Sequence, residues 1–467
     1  MARTATAKSA AARPMGSPSE EAFAPIEGVI PRVSIEAFCE TENFADALRG
    51  AAADRRMVKT SLAVSMGGVA RAAKSYSDAS TPNLLIVESS EGGFGIFSEL
   101  EMLAEVCDAS TKVVVAAPSN DVTLYRELKR QGVDEYIVTP SSPMQVIDAI
   151  SAIYAGPATT PMGKILAFVG SKGGVGSSTL AHNVAAAIAR RRQKETIILD
   201  LDIEFGTAGL DFNQDPTRSI LDALADGDKL DDVKLKRLLI EENQHLRILA
   251  APSTLDVKVD IDETAITSLL DVLRKSGDYV VIDAPHGWTP WVRQALLLAD
   301  DIVLVSAPDL ASLRNVKGLY DSLKSRRPND PPPRIVLNQV GVEKRPEIPL
   351  KDYVSVLGAH PDLVLPYDAA VFGAASNGGQ MLFDSAPRHK VTTDLDAFSD
   401  SFFSTTRNGR RILRSGGAPG GVTTGGARKG GLNPFGAVKG FMDKLRARRK
   451  DEEPEDDDDE DEDDDRK

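Results

Sequence analysis

The stretch SKGGVGSST at residues 171–179 sets glycines, a lysine and hydroxyl side chains between an apolar run and a helical run. Gly173, Gly174 and Gly176 let the backbone bend until successive N–H groups point inward, and the positive end of the following helix adds to them. Such a turn serves phosphate. Val175, Ser177 and Thr179 complete it, and Ser178 is placed to put a hydroxyl on Mg²⁺. Two acidic strand ends follow: TIILDLD (196–202) closes on Asp200 and Asp202, and YVVIDAP (279–285) carries Asp283. Each carboxylate sits where it can hold a metal-bound water. Taken singly, such an aspartate is equally a helix cap or a turn former. Three around one loop are less easily dismissed. At position 177 a serine occupies the place where a phosphate loop ordinarily carries a lysine.

These side chains need a scaffold, and the hydrophobic pattern supplies one. KILAFVG (164–170), TIILDLD, YVVIDAP, DIVLVSAP (301–308) and RIVLNQV (334–340) are near-continuous Val/Ile/Leu runs separated by helical stretches such as SSTLAHNVAAAIARRR. That alternation predicts a parallel sheet covered on both faces, with ligands at the carboxyl ends of its strands. A smaller unit of the same kind precedes it, from RVSIEAF at 32 through NLLIVES (83–89), KVVVAAP (112–118) and EYIVTP (135–140). The predicted organisation is a disordered leader (1–28), a first α/β unit (29–154), a linker (155–163), a second α/β unit (164–404) and a disordered tail (405–467).

Composition bounds the rest. The chain has 467 residues, 42% of them hydrophobic, and a net charge of −14. The acidic run 451–467 carries −12, residues 407–450 carry +11, and everything before them carries −13. An acidic folded part offers no nucleic-acid footprint. No apolar run approaches the roughly 20 residues that span a bilayer, and the first residues lack the apolar core of a secretion signal. The reading is a soluble chain of the cytoplasm, with Cys39 and Cys107 as small buried apolar residues.

The runs KGGVGSST, DLDIEFG, VVIDAP, VLNQV and LPYD together resemble the deviant Walker-A ATPases of the ParA and MinD superfamily. The resemblance covers about residues 164–385 and implies a doubly wound P-loop fold, ATP and Mg²⁺ as cofactors, and an ATP-sandwich dimer. It makes Lys172 the signature lysine that reaches the partner's nucleotide. Asp202 becomes the carboxylate that orients attacking water, Asp283 the Walker-B aspartate, Asp200 a further metal-side carboxylate, Asn338 the reader of adenine, and Pro366 part of the nucleotide site. Ser177 departs from the partition and division ATPases. Losing a charged hydrogen bond there removes about 1.5–3 kcal/mol, which weakens ATP binding and harms a transition state more. The site then binds nucleotide and hydrolyses it slowly or not at all.

The stretch VVVAAPSNDVTLYRELKRQGVDEYIVTPSSPMQVIDAI makes the first unit similar to a response-regulator receiver. The receiver's phosphoacceptor aspartate, hydroxyl and lysine fall on Glu88, Ala117 and Thr139, so all three are lost. Without a hydroxyl and a lysine little is left to stabilise a transferring phosphoryl group. Glu88 reads either as a fixed mimic of phosphate or as a drifted exposed carboxylate on a protein-binding module. A degenerate receiver ahead of this P-loop unit, with PYDAAVFGAASNGGQML near its end, resembles the CpaE/TadZ family of bacterial cytoplasmic proteins that place and assemble Flp (Tad) pili.

The resemblance implies an ATP-responsive homodimer with weak or absent hydrolysis, working with pilus assembly or secretion machinery and a polar landmark protein at the pole or inner-membrane surface. Two alternatives stay open: an active partition or positioning ATPase, and a nucleotide-free scaffold. The tail lies outside the resemblance. In residues 432–450, Phe435, Val438, Phe441, Met442 and Leu445 recur at helical spacing beside basic residues. That pattern suits an anionic membrane surface as well as it suits a solvated polyampholyte.

Overall fold

The structure, a computed structural model, describes residues 30–91, 95–154, 162–253 and 261–403 and the backbone of residues 413–414. The leader, residues 155–161 of the linker, the basic segment 432–450 and the acidic run 451–467 lie outside the described residues. Among the described residues no helix is long and apolar enough to cross a membrane.

The first unit is a parallel sheet of β1 (Ser34–Cys39), β2 (Ser61–Met66), β3 (Leu84–Glu88), β4 (Lys112–Ala117) and β5 (Glu135–Val138), in the order β2-β1-β3-β4-β5. Successive residues serve opposite faces. Ile35, Ala37, Leu84 and Ile86 pack on Phe44, Leu48 and Val146, while Phe38, Leu85 and Val87 pack on Val69, Leu124 and Leu128. This is the two-sided burial that the apolar runs predict. Strand β2 was not among them, because SLAVSM is an edge strand whose residues stay exposed or half-buried. Cys39 is buried, whereas Cys107 is only partly so.

The second unit is a nine-stranded sheet. Its strands are β6 (Lys164–Gly170), β7 (Thr196–Asp200), β8 (Ile240–Asn243), β9 (Leu246–Leu249), β10 (Tyr279–Ala284), β11 (Asp301–Ser306), β12 (Arg334–Val340), β13 (Leu363–Pro366) and β14 (Leu413–Arg414). Their order is β14-β13-β12-β11-β6-β10-β7-β9-β8, and β8 pairs antiparallel with β9 while the other pairs are parallel. Ile165, Ala167 and Val169 of β6 face one helical layer, and Leu166 and Phe168 face the other. Helix Ser177–Arg192 lies in the second layer with all ten residues from Leu180 to Ala189 buried. Its many alanines let it sit close to the sheet. Its last turn is tied down by Arg190, Arg191 and Arg192, which pair with Asp384, Asp396 and Asp400. Strand β14 lies beyond residue 404, the expected end of the second unit. Leu413 and Arg414 pair with Leu363 and Val364, so backbone hydrogen bonding holds a segment whose composition argued against packing.

The two units are joined by charge. After helix Glu42–Ala52 a short turn carries Arg55, Arg56 and Lys59 against the amino ends of the second sheet's strands. Arg55 reaches Asp330 and Asp300, each at 2.9 Å, and the carbonyl of Leu298 at 3.1 Å. Arg56 pairs with Asp54 and Asp330, Lys59 with Asp271, and Asn329 donates to Asp54. Asp330 also takes Arg327, and Asp300 takes Arg274 and the N–H of Ile165, at the start of the strand that leads to the phosphate loop. With the Asp330 side chain 2% exposed and that of Arg55 12%, the pair between them is buried.

Candidate functional site

The phosphate loop runs from the end of β6 to the start of helix Ser177–Arg192, between β11 and β10 at the middle of the sheet. Gly174 and Gly176 have φ of 78° and 88°, a left-handed conformation that glycine adopts without penalty. A Cβ at Gly176 would also lie 2.7 Å from Asn338 Nδ2, whereas one at Gly173 or Gly174 would meet nothing within 4 Å. The loop is therefore open at Gly173 and Gly174 and braced at Gly176. Bracing comes from the end of β12: Asn338 donates to the Val175 carbonyl and Gln339 to the Gly174 carbonyl, both at 2.8 Å. Asn338 thus sits against the loop itself, and Pro366 ends the neighbouring β13. Lys172 extends from the loop to Asp309, 2.8 Å away at the cap of helix Leu310–Arg326. Burial pushes the Asp309 carboxyl up, but hydrogen bonds from Lys172 and Ser312 outweigh it and hold the group below its ordinary value.

The carboxylates come together by register. Asp283 of β10 lies directly opposite Asp200 of β7. Asp200 is fully buried and accepts N–H bonds on both oxygens, from Asp202 at 3.1 Å and Ala208 at 3.0 Å, so it orders the loop that follows β7. Gly206 permits this closure, because a Cβ there would stand 2.4 Å from Asp200 Oδ2. Asp202 accepts from Phe205 N–H at 3.1 Å, a turn-forming bond, and burial raises its carboxyl. Asp283 is hydrogen-bonded by Ser178, and its Oδ2 is buried with no hydrogen-bond partner. Burial raises both Asp283 and Asp200, against the opposing pull of His182. The Ser178 hydroxyl and the Asp283 carboxylate beside a glycine turn open at Gly173 and Gly174 fit a hydrated Mg²⁺ on a nucleotide phosphate, since that ion keeps several of its waters.

His182 was not singled out from the sequence. It is fully buried one helical turn beyond Ser178, with Nδ1 2.7 Å from Asp211 Oδ2 and Nε2 3.5 Å from Asp283 Oδ2. Burial opposes its charged form, yet the Asp211 hydrogen bond and the charges of Asp283, Asp211 and Asp200 raise its pKa above the ordinary histidine value. The available signal was the i, i+4 spacing from Ser178, which puts both side chains on one helix face. Asp309 and Gln339 carried no comparable local signal.

In the first unit, Glu88 corrects an expectation. It is not an exposed carboxylate: it is 2% exposed, and Oε2 accepts from the N–H groups of Glu40 and Thr41 at 2.7 and 2.8 Å while Oε1 accepts from the Thr41 hydroxyl at 2.6 Å. The extra methylene of Glu over Asp carries the carboxylate into the β1 loop, where it fixes the cap of helix Glu42–Ala52. Ala117 and Thr139 end β4 and follow β5 as expected, and neither brings a cation to Glu88. Incubating the full chain with acetyl phosphate is therefore expected to give no acyl phosphate. Glu88→Gln is expected to cost about 1–3 kcal/mol of stability through lost charged hydrogen bonds, read as a lower thermal midpoint. A phosphorylated Glu88, or an unchanged midpoint, would contradict this account.

A family described as AAA domain matches residues 163–329. The crystal structure of pilus assembly protein CpaE from Caulobacter crescentus is 45% identical over 28% of this chain and 98% of that chain, with a TM-score of 0.27. The chain belongs to the CpaE family. The septum site-determining protein MinD of Synechocystis is 27% identical over 169 residues, 35% of this chain and 60% of MinD, so the match spans less than two thirds of that relative. A ParA family ATPase from Chlorobium tepidum is 22% identical over 50% of this chain and 98% of its own, with a TM-score of 0.47. The CpaE-family chain thus has a receiver-like α/β unit followed by a P-loop sheet of the ParA/MinD type.

Proposed function

We propose that this CpaE-family chain is a nucleotide-binding localisation and assembly factor for Flp (Tad) type IV pili, an ATP-responsive dimer with weak or absent hydrolysis. Its place is the bacterial cytoplasm, at the pole or the inner-membrane surface, beside pilus assembly or secretion machinery and a polar landmark. The observation that carries the reading is a phosphate loop with its cradle open and braced, whose single lysine, Lys172, is paired with Asp309 and whose position 177 holds a serine. A loop of that kind holds phosphate without the second cation that hydrolysis draws on.

The N–H groups of residues 173–179 would hold the phosphates of ATP, and Ser178 with Asp283 would hold the water shell of Mg²⁺, which supplies charge neutralisation at the phosphates. Dimerisation through this face is supported by exposed apolar side chains around it. Phe205 and Leu210 follow β7, Trp288 follows β10 and Tyr367 follows β13, and they are 74%, 74%, 42% and 47% exposed. All four come after the carboxyl ends of strands of the sheet that carries the loop.

Titration with ATP and ADP, with and without Mg²⁺, followed by oligomeric state in each condition, tests the reading. Binding with ATP-dependent dimers is expected, together with turnover near the uncatalysed level. Ser177→Lys restores the missing contact and is expected to raise turnover about 10- to 100-fold, the equivalent of about 1.5–3 kcal/mol. Lys172→Ala is expected to weaken the dimer while leaving nucleotide binding to one copy intact. Unchanged turnover in the first and unchanged assembly in the second would sink the assignments.

A further inference from the structure

Two buried atoms face each other in the second unit without hydrogen-bond partners: His182 Nε2 and Asp283 Oδ2, 3.5 Å apart. A histidine that only fills a core normally has both ring nitrogens hydrogen-bonded. Here only Nδ1 is bonded, and its partner holds the ring rigidly. Asp211 Oδ2 lies 2.7 Å from Nδ1 and also takes the Thr207 hydroxyl at 3.3 Å, while Phe212 stands 5.9 Å away, ring centroid to ring centroid. Ser178, one turn back on the same helix, hydrogen-bonds to the same carboxylate. The carboxylate is therefore approached by a hydroxyl and an imidazole that come from one helix, and the imidazole is anchored by Asp211 from the segment that follows β7.

We propose that His182 is a positioning residue: held by Asp211, its ring sets the orientation of the Asp283 carboxylate toward Ser178 and the metal side of the phosphate loop. The inference rests on the nucleotide-binding reading above. Groups standing behind a metal site in this way typically change metal affinity 10- to 100-fold when removed. His182 does not touch the phosphates, so its effect falls on the Mg²⁺-dependent part of nucleotide affinity.

The test measures binding of a fluorescent ADP derivative to the full chain, in Mg²⁺ and in EDTA, alongside the thermal midpoint. In His182→Gln the amide nitrogen stands near the place of Nε2 and still reaches Asp283; in His182→Asn it stands near Nδ1 and reaches only Asp211. The Gln variant is expected to keep most of the Mg²⁺ enhancement, and the Asn variant to lose about tenfold of it, with affinities in EDTA equal to the parent's. Should His182→Asn fail to fold, Asp211→Ala keeps the ring, removes its anchor and carries the same expected loss. Equal enhancement in every variant overturns the proposal, and so does an equal fall in midpoint and in enhancement for both His182 variants, which marks a merely structural ring. A parent chain that binds ADP equally with and without Mg²⁺ overturns this inference alone. One that binds no nucleotide in any condition overturns the nucleotide-binding reading and this inference with it.

Discussion

Asp330→Ala is expected to lower the thermal midpoint by about 10 °C, because it removes the carboxylate shared by Arg55, Arg56 and Arg327. Breaking a buried ion pair by deleting one partner costs about 3–5 kcal/mol, since the other charges stay buried without compensation. Here three guanidinium groups lose the same partner. The double variant Asp330→Ala/Arg55→Met should recover part of the loss, as an apolar replacement of both partners often does. Acid gives the same result without mutation. Burial raises Asp300 and Asp330, but Arg274 and Arg55 hold Asp300 down to about 2, and Arg55, Arg327 and Arg56 hold Asp330 lower still. A carboxyl whose folded pKa is depressed adds stability above its unfolded value of about 3.9 and loses it as pH falls through the folded value. The contact between the units should therefore weaken from about pH 4 downward, with the loss still growing at about pH 2. An acid titration of the parent and of Asp330→Ala checks this: the variant should have lost most of the dependence, and two superimposed curves would refute the clamp.

Asp283→Asn is expected to lose roughly 30- to 100-fold of nucleotide affinity in Mg²⁺ and almost none in EDTA, on the scale of about 2–3 kcal/mol for a charged hydrogen bond. Asn is preferred to Ala because His182 then keeps a polar neighbour. Asp202→Ala should behave differently. Its side chain accepts one N–H in an outer turn, so affinity is expected to stay within about threefold while turnover in the Ser177→Lys background falls by about tenfold or more. Isothermal titration and a phosphate-release assay separate the two. If both variants lose stability equally and affinity equally, the carboxylates are turn formers.

The strands around the phosphate loop were legible because each is a run of consecutive apolar residues buried on both faces, and the loop because glycine spacing is a local property of the chain. What stayed hidden was either half-exposed or distant. Strand β2 has no fully buried residue, and the β8 strand reads IEEN, too polar to stand out. His182 sits in an alanine-rich helix that advertises packing, and Asp211, which gives it a purpose, lies 29 positions away. Arg55 meets Asp330 across 275 positions, and nothing near either residue announces the other. Glu88 was read at the right place in β3 with the wrong surroundings, since the amides that enclose it come from the end of β1.

The clamp sits at the amino ends of the second sheet's strands, and the phosphate loop sits at their carboxyl ends. Two copies meeting face to face at their loops would therefore carry their receiver-like units at the two far extremes. The outline would be a rod of four lobes in a line, with the two phosphate loops at its centre and a receiver-like unit at each tip. Its length, read by small-angle scattering, would report whether the clamp has held.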